Sequence, residues 1–311
     1  MHALSRMTST ALLLVAMCSP AWAQTASAVG IYEIRGQHNA SVPDGPSDSD
    51  EFEVRGQRVF SDPQALNFAG AACAGNGCSD ASGYVQAGFG WMRMYGVVRS
   101  VSGASPTIEY SNNGRAVLGI FSQFTDELTI SDPARNGTPG SVFLSTLLDG
   151  GLSPALDVFG PSELANGYAE GYFGATFLDM VYLEANTIDL PPTRIDNAEI
   201  GGTVSFIFGQ PFSITVAASS WMQASSGSYG TNAAVATFVS DFSRTLTWGG
   251  MSDLLDADGN PVADYSVSSL SGTDYRYAIV PPPVPEPATL LLWLLGLSLL
   301  AARQRWQRRL G

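Results

Sequence analysis

The chain has no lysine, only two histidines and three cysteines in 311 residues, and its charged side chains amount to 14%. Each shortage excludes a class of chemistry. Without lysine, Gly88-Phe89-Gly90-Trp91 is no phosphate-binding loop, and its glycine spacing is wrong for one. His38 is the only histidine beyond the first few residues, hence the only candidate imidazole base, and no Gly-x-Ser-x-Gly elbow accompanies it. A serine triad is therefore not expected. Helical signals are sparse too. Asp62 before Pro63 suggests one turn reaching Leu66, and Ser162 to Asn166, after Pro161, suggests another.

What is abundant is acid. All 28 carboxylates fall between Gln24 and Pro287, and the ten arginines in that stretch leave it at −18. A body of this charge is repelled by nucleic acid and by anionic lipid. It suits a soluble extracellular protein. Loose gathering of divalent cations is compatible with it, although solubility alone accounts for the excess.

Short apolar runs, 33 glycines and little charge predict an all-β body. Thr203 to Phe208 and Phe212 to Ala217 read as strands, and the second alternates apolar and polar as a half-buried strand does. Ala233 to Ser240 and Phe242 to Trp248 read as two more. Thr107 to Ser111 and Arg115 to Ile120 flank Asn112-Asn113-Gly114, a hairpin signal. Asp258-Gly259-Asn260-Pro261 marks another before Val262 to Val267, and Val42 to Asp50 reads as a loop. No internal boundary or repeat divides residues 24–280. The expectation is a single-domain antiparallel β-sandwich, jelly-roll-like, with a signal peptide before it and a hydrophobic helix after it.

The N-terminus carries Arg6, an apolar core from Ala11 to Met17, and the small-x-small site Ala21-Trp22-Ala23 before Gln24. That pattern is a secretory signal peptide over residues 1–23, addressed to the secretion translocon. Cys18 raises a lipoprotein alternative, but Met17 stands where a lipobox requires Gly or Ala. Past the leader only Cys73 and Cys78 remain. In an oxidising compartment they are expected to form a disulfide closing a Gly-rich loop; half of a metal site is the rival, and it lacks a second pair.

The C-terminus has three parts in order. Residues 281–287 form a proline-rich, polyproline-like spacer ending in Pro285-Glu286-Pro287. Residues 288–302 are uncharged and Leu-rich, a candidate transmembrane helix of about 22 Å. Arg303, Arg305, Arg308 and Arg309 in the 303–311 tail hold that end on the cytoplasmic side, which places the body outside. This arrangement resembles the PEP-CTERM sorting signal of Gram-negative bacteria. The resemblance implies an exosortase-type transpeptidase as partner, a transient stay in the inner membrane, and delivery to the cell surface or an exopolysaccharide matrix. An ordinary single-span anchor is the alternative. The body also resembles, more loosely, other PEP-CTERM bodies, with a Gly-x-x-Tyr strand at Gly272 to Tyr275.

Three carboxylate groups in the body invite chemistry. Asp44, Asp48, Asp50, Glu51 and Glu53 offer oxygens to Ca²⁺, with a solvated acidic loop as the plainer account. Asp253, Asp256, Asp258, Asn260 and Asp264 fail the EF-hand pattern, because counting from Asp256 puts Pro261 where glycine is required. Glu163 with Glu170, or Asp179 with Glu184, would serve glycoside hydrolysis only if about 5–9.5 Å apart across a cleft. Trp91, Tyr95, Trp221, Tyr229, Trp248, Tyr265, Tyr275 and Tyr277 would make either a sugar platform or core.

The expected protein is an exported surface or matrix component with no catalytic role, no cofactor and no resident metal. A carbohydrate-binding module, Ca²⁺-assisted or not, is the alternative, and a polysaccharide hydrolase is third. An exposed aromatic strip beside acidic residues would favour the binder. Two carboxylates converging in a deep cleft would favour the hydrolase.

Overall fold

Strand β6 (Ser111–Ser131) buries every second side chain along its whole length, the mark of a long strand with one face on a core. Its inward residues include Leu118, Ile120, Phe124, Leu128 and Ile130. The computed structural model describes residues 27–41, 47–59, 65–104, 111–161 and 164–280. The signal-peptide residues 1–23 and everything from Pro281 to Gly311, including the expected transmembrane helix, lie outside these, as do His38's side chain and Asp44. Among the described residues no helix is long and apolar enough to cross a membrane.

Two antiparallel sheets face each other as a sandwich. The larger, seven-stranded sheet runs β2 (Ser47–Val59), β1 (Ser27–Ser41), β6, β11 (Pro211–Tyr229), β8 (Ala165–Phe177), β9 (Asp179–Asn186), with β13 (Ser266–Ser269) also on β6. The smaller, six-stranded sheet runs β10 (Thr193–Ile207), β7 (Pro139–Phe159), β12 (Ala233–Asp256), β5 (Trp91–Ser102), β4 (Gly77–Gly88), β3 (Leu66–Ala74). Large and small residues interdigitate between the sheets. Phe173 of β8 stacks on Phe242 of β12 at 3.5 Å. Phe238 fills the space over Gly171, where a Cβ would come within 2.6 Å of its ring.

Part of the core is polar, and it is bonded across the gap. Ser226 of β11 meets Ser100 and Ser102 of β5, each at 2.8 Å, and Ser220 donates to Ser240 of β12 at 2.7 Å. Such pairs satisfy buried hydroxyls that would otherwise destabilise the interior.

Several sequence expectations are corrected. Asn112-Asn113-Gly114 is no hairpin: β6 continues through it, paired with β1 on one side and β11 on the other. Two flanking strands satisfy the backbone there, and this tertiary pairing overrides the local turn preference. Residues 233–240 and 242–248 are one strand, β12, with a register shift between Phe242 and Leu246. Ser47 to Asp50 belong to β2 rather than a loop, and Ala165 and Asn166 open β8, with the Leu164 and Ala165 amides donating to the Pro161 carbonyl as the one turn expected before it. Residues 62–64, 162 and 163 lie outside the described set. The Asp258-Gly259 turn forms, with Leu255 bridged to Pro261, yet the strand beyond it is only Ser266–Ser269. Gly272 to Tyr275 is not a strand.

Candidate functional site

The end of the body is clasped. Tyr275 is fully buried, and its phenol donates to the Asp126 carboxylate on β6 at 3.0 Å. The Ser271 amide donates to the same carboxylate at 3.1 Å, and the Ser271 hydroxyl to its second oxygen. Trp248 donates its indole N–H to the Tyr275 carbonyl at 2.7 Å, the rings meeting edge to face, and Ile279 N–H donates to the Trp248 carbonyl at 2.9 Å. Burial, with the Asp126 charge added, pushes the Tyr275 phenol far above the usual tyrosine range. This explains why 272–275 is not a strand: the segment is spent anchoring a core aromatic. The chain then reaches Val280, which is 88% exposed.

The outer face of the larger sheet carries the aromatic strip. Outward positions on β8 and β9 alternate with buried Ala169, Phe173 and Ala185. Register places Tyr172 opposite both Trp221 on β11 and Glu184 on β9. Tyr172 stacks on Trp221 with centroids 5.6 Å apart, and on Tyr182, its diagonal neighbour, at 5.8 Å. Tyr182 is 54% exposed. Partial burial, followed by the charge of Glu184, raises the Tyr182 phenol above its ordinary value. Beside the strip, Tyr168 donates to Glu170 at 2.6 Å, and Arg115 donates to Gln223 at 2.6 Å. Gly174 and Gly119 face the same surface, and a Cβ on either would meet nothing closer than 3.7 Å.

Of the aromatics singled out from sequence, the structure sorts most into other roles. Trp91, Trp248 and Tyr275 are buried, Tyr95 pairs with Tyr84 on the other sheet, and Tyr277 is exposed beside Arg276. Trp221 alone joins the strip, and Tyr172 and Tyr182 complete it. The signal for those two was the alternation of tyrosine and glutamate against Gly, Ala and Phe from Gly167 to Gly174, and against Val, Leu and Ala from Val181 to Ala185.

The carboxylate groups take different places. Asp50 accepts the Cys73 amide of edge strand β3 at 2.9 Å, which occupies an otherwise open edge donor, and Glu53 pairs with Arg55 at 2.7 Å. Asp256 caps its own turn, accepting the Asn260 amide at 2.9 Å and that of Asp258 at 3.0 Å. The Asn260 amide foremost holds the Asp256 carboxyl below the usual range. Among the described residues no cluster of three or more His, Cys, Asp or Glu is set to hold a metal ion. Glu163 is outside the described residues, and Asp179 and Glu184 lie along one edge strand. An open groove of about 440 Å³ lies beside Pro154 and the 186–192 connection, and among the described residues lining it Asp189 is the one carboxylate. Cys73 and Cys78, opposite each other at the β3–β4 hairpin end, are joined by a disulfide.

Pro285, Glu286 and Pro287, the arginines at 303, 305, 308 and 309, and the Ala21, Ala23 and Gln24 cleavage site all fall outside the described residues. No curated protein and no solved structure matches the chain. Residues 283–309 match the family model of the PEP-CTERM protein-sorting motif. The chain is therefore an exported protein that carries a PEP-CTERM sorting signal at its C-terminus, passes through a membrane-associated intermediate, and has an exosortase-type processing enzyme as partner.

Proposed function

We propose that this protein is a non-catalytic component of the cell surface or extracellular matrix that holds exopolysaccharide on the outer face of its larger sheet. One observation carries the reading: Tyr182, Tyr172 and Trp221 form a ring ladder on a solvent-facing sheet surface, flanked by Glu170 and Glu184. Aromatic faces offer apolar area to the C–H faces of sugars, and the neighbouring carboxylates accept hydroxyl protons. Exposed, cross-strand aromatics of this kind gain little for folding compared with buried ones, so a ligand supplies the reason for their exposure. Sorting by the C-terminal signal would deliver the strip to where polysaccharide is.

The test is affinity electrophoresis of the processed body in gels containing purified exopolysaccharide from the exporting cells. The wild-type body should be retarded, and Tyr172→Ala with Trp221→Ala should migrate as it does without polysaccharide. Equal retardation of both forms would end the reading. Ca²⁺ assistance is a separate arm: retardation that survives a chelator rests on the rings and hydroxyls alone, and retardation lost to it requires the cation.

A further inference from the structure

Resting on that reading, we infer that the ladder ends in a glycine-floored slot that takes one pyranose of a neutral glycan. The inference follows from register. Reading outward from Tyr172, β11 presents Trp221, β6 presents Gly119, β1 presents Glu33, and β2 presents Arg55. Trp221 has one ring face against Tyr172, with planes 18° apart, so its other face is turned towards β6. There the side chain is missing. A Cβ on Gly119 would meet only the Glu33 carbonyl oxygen, at 4.0 Å, so no packing demand explains the glycine. Trp221 and Glu33 stand two strand spacings apart, about 9–10 Å. That gap accommodates one ring in contact with both walls, each contact taking about 3.5–4.0 Å.

The far wall is polar and neutral as a unit. Glu33 lies 2.6 Å from Arg35 and 3.2 Å from Arg55, and Glu53 lies 2.7 Å from Arg55. All four side chains are 41–57% exposed. Carboxylates held in this way accept hydroxyl protons while the guanidinium N–H groups donate to ring and hydroxyl oxygens. One apolar wall and one balanced donor–acceptor wall match the two faces of a neutral sugar. A polyuronate is disfavoured, since the exported stretch already carries −18.

The experiment uses the processed body and exopolysaccharide purified from the exporting cells, with Trp fluorescence and gel retardation as readouts and polygalacturonate as the anionic comparison. Gly119→Val fills the slot with a residue that strands accept readily, so its melting temperature should stay at or above wild type. Binding should weaken by about tenfold, the loss of one ring-stacking contact. Glu33→Ala, which leaves the floor intact, should weaken binding as well, and polygalacturonate should give no shift. If Gly119→Val and Glu33→Ala both bind like wild type while Trp221→Ala does not, the slot is wrong and the aromatic strip stands. If Trp221→Ala also binds normally, the strip itself is wrong. Tighter binding of polygalacturonate would overturn the neutral class.

Discussion

Asp126 and Tyr275 show how much one residue pair can decide in this body. A carboxylate that is 1% exposed is held by a buried phenol, an amide and a hydroxyl, all from the last segment before the sorting tail. The phenol's folded pKa lies above its unfolded value of 10.0. Its contribution to stability is therefore complete below about pH 10 and is lost as pH rises, because above that point the unfolded chain releases a proton the folded one keeps. The urea midpoint should fall steeply above about pH 10 in the wild type. Tyr275→Phe should lose about 2 kcal/mol at pH 7, the worth of one hydrogen bond to a charged acceptor, and show a shallower alkaline fall. Denaturation series at several pH values check this; identical alkaline slopes would remove Tyr275 from the account.

At the scale of elements, strands whose two faces differ were readable and those set by partners were not. Phe212 to Ala217 alternates visibly and is the start of β11. The Asn113-Gly114 turn signal failed because β6 is flanked on both sides and its pairing outweighs a local preference. The aromatic strip was half legible. Trp221 stood out by residue type, but Tyr182 reaches Tyr172 only because the chain reverses at Leu178, a non-glycine residue at φ 59° with no Gly, Pro or Asn to announce a turn. Cys73 and Cys78, by contrast, needed only their spacing and compartment. Their hairpin lies at the edge of the smaller sheet, already held by the Asp50 bond to the Cys73 amide. Replacing both with serine should leave the sandwich folded and cost about 2 kcal/mol or less, since so short a loop constrains little unfolded-chain entropy. A urea titration would show it, and failure of the double variant to fold would mean that this hairpin organises the whole sheet.

For the molecule as a whole, sorting and folding are expected to be separable. Among the described residues the last backbone bond to the core runs from the Ile279 N–H to the Trp248 carbonyl, and Val280 is 88% exposed. The sorting motif spans residues 283–309, beyond that clasp. Cleavage near Pro287 should remove the address and keep every residue of the clasp on the body, and the body cut there should melt at the temperature of the full chain. Pro285→Ala with Glu286→Ala should remove the processing step and spare export, leaving a full-length form in the inner membrane. Intact mass of the protein recovered from each fraction reads both outcomes. Wild-type protein from the surface or medium should end near Pro287, with any added mass identifying what the body was joined to, whereas the double variant should retain Arg303 to Arg309. Processed double variant at the surface would show that the enzyme reads something other than the tripeptide. A wild-type surface form still carrying the four arginines would mean that the tail is an anchor and never removed.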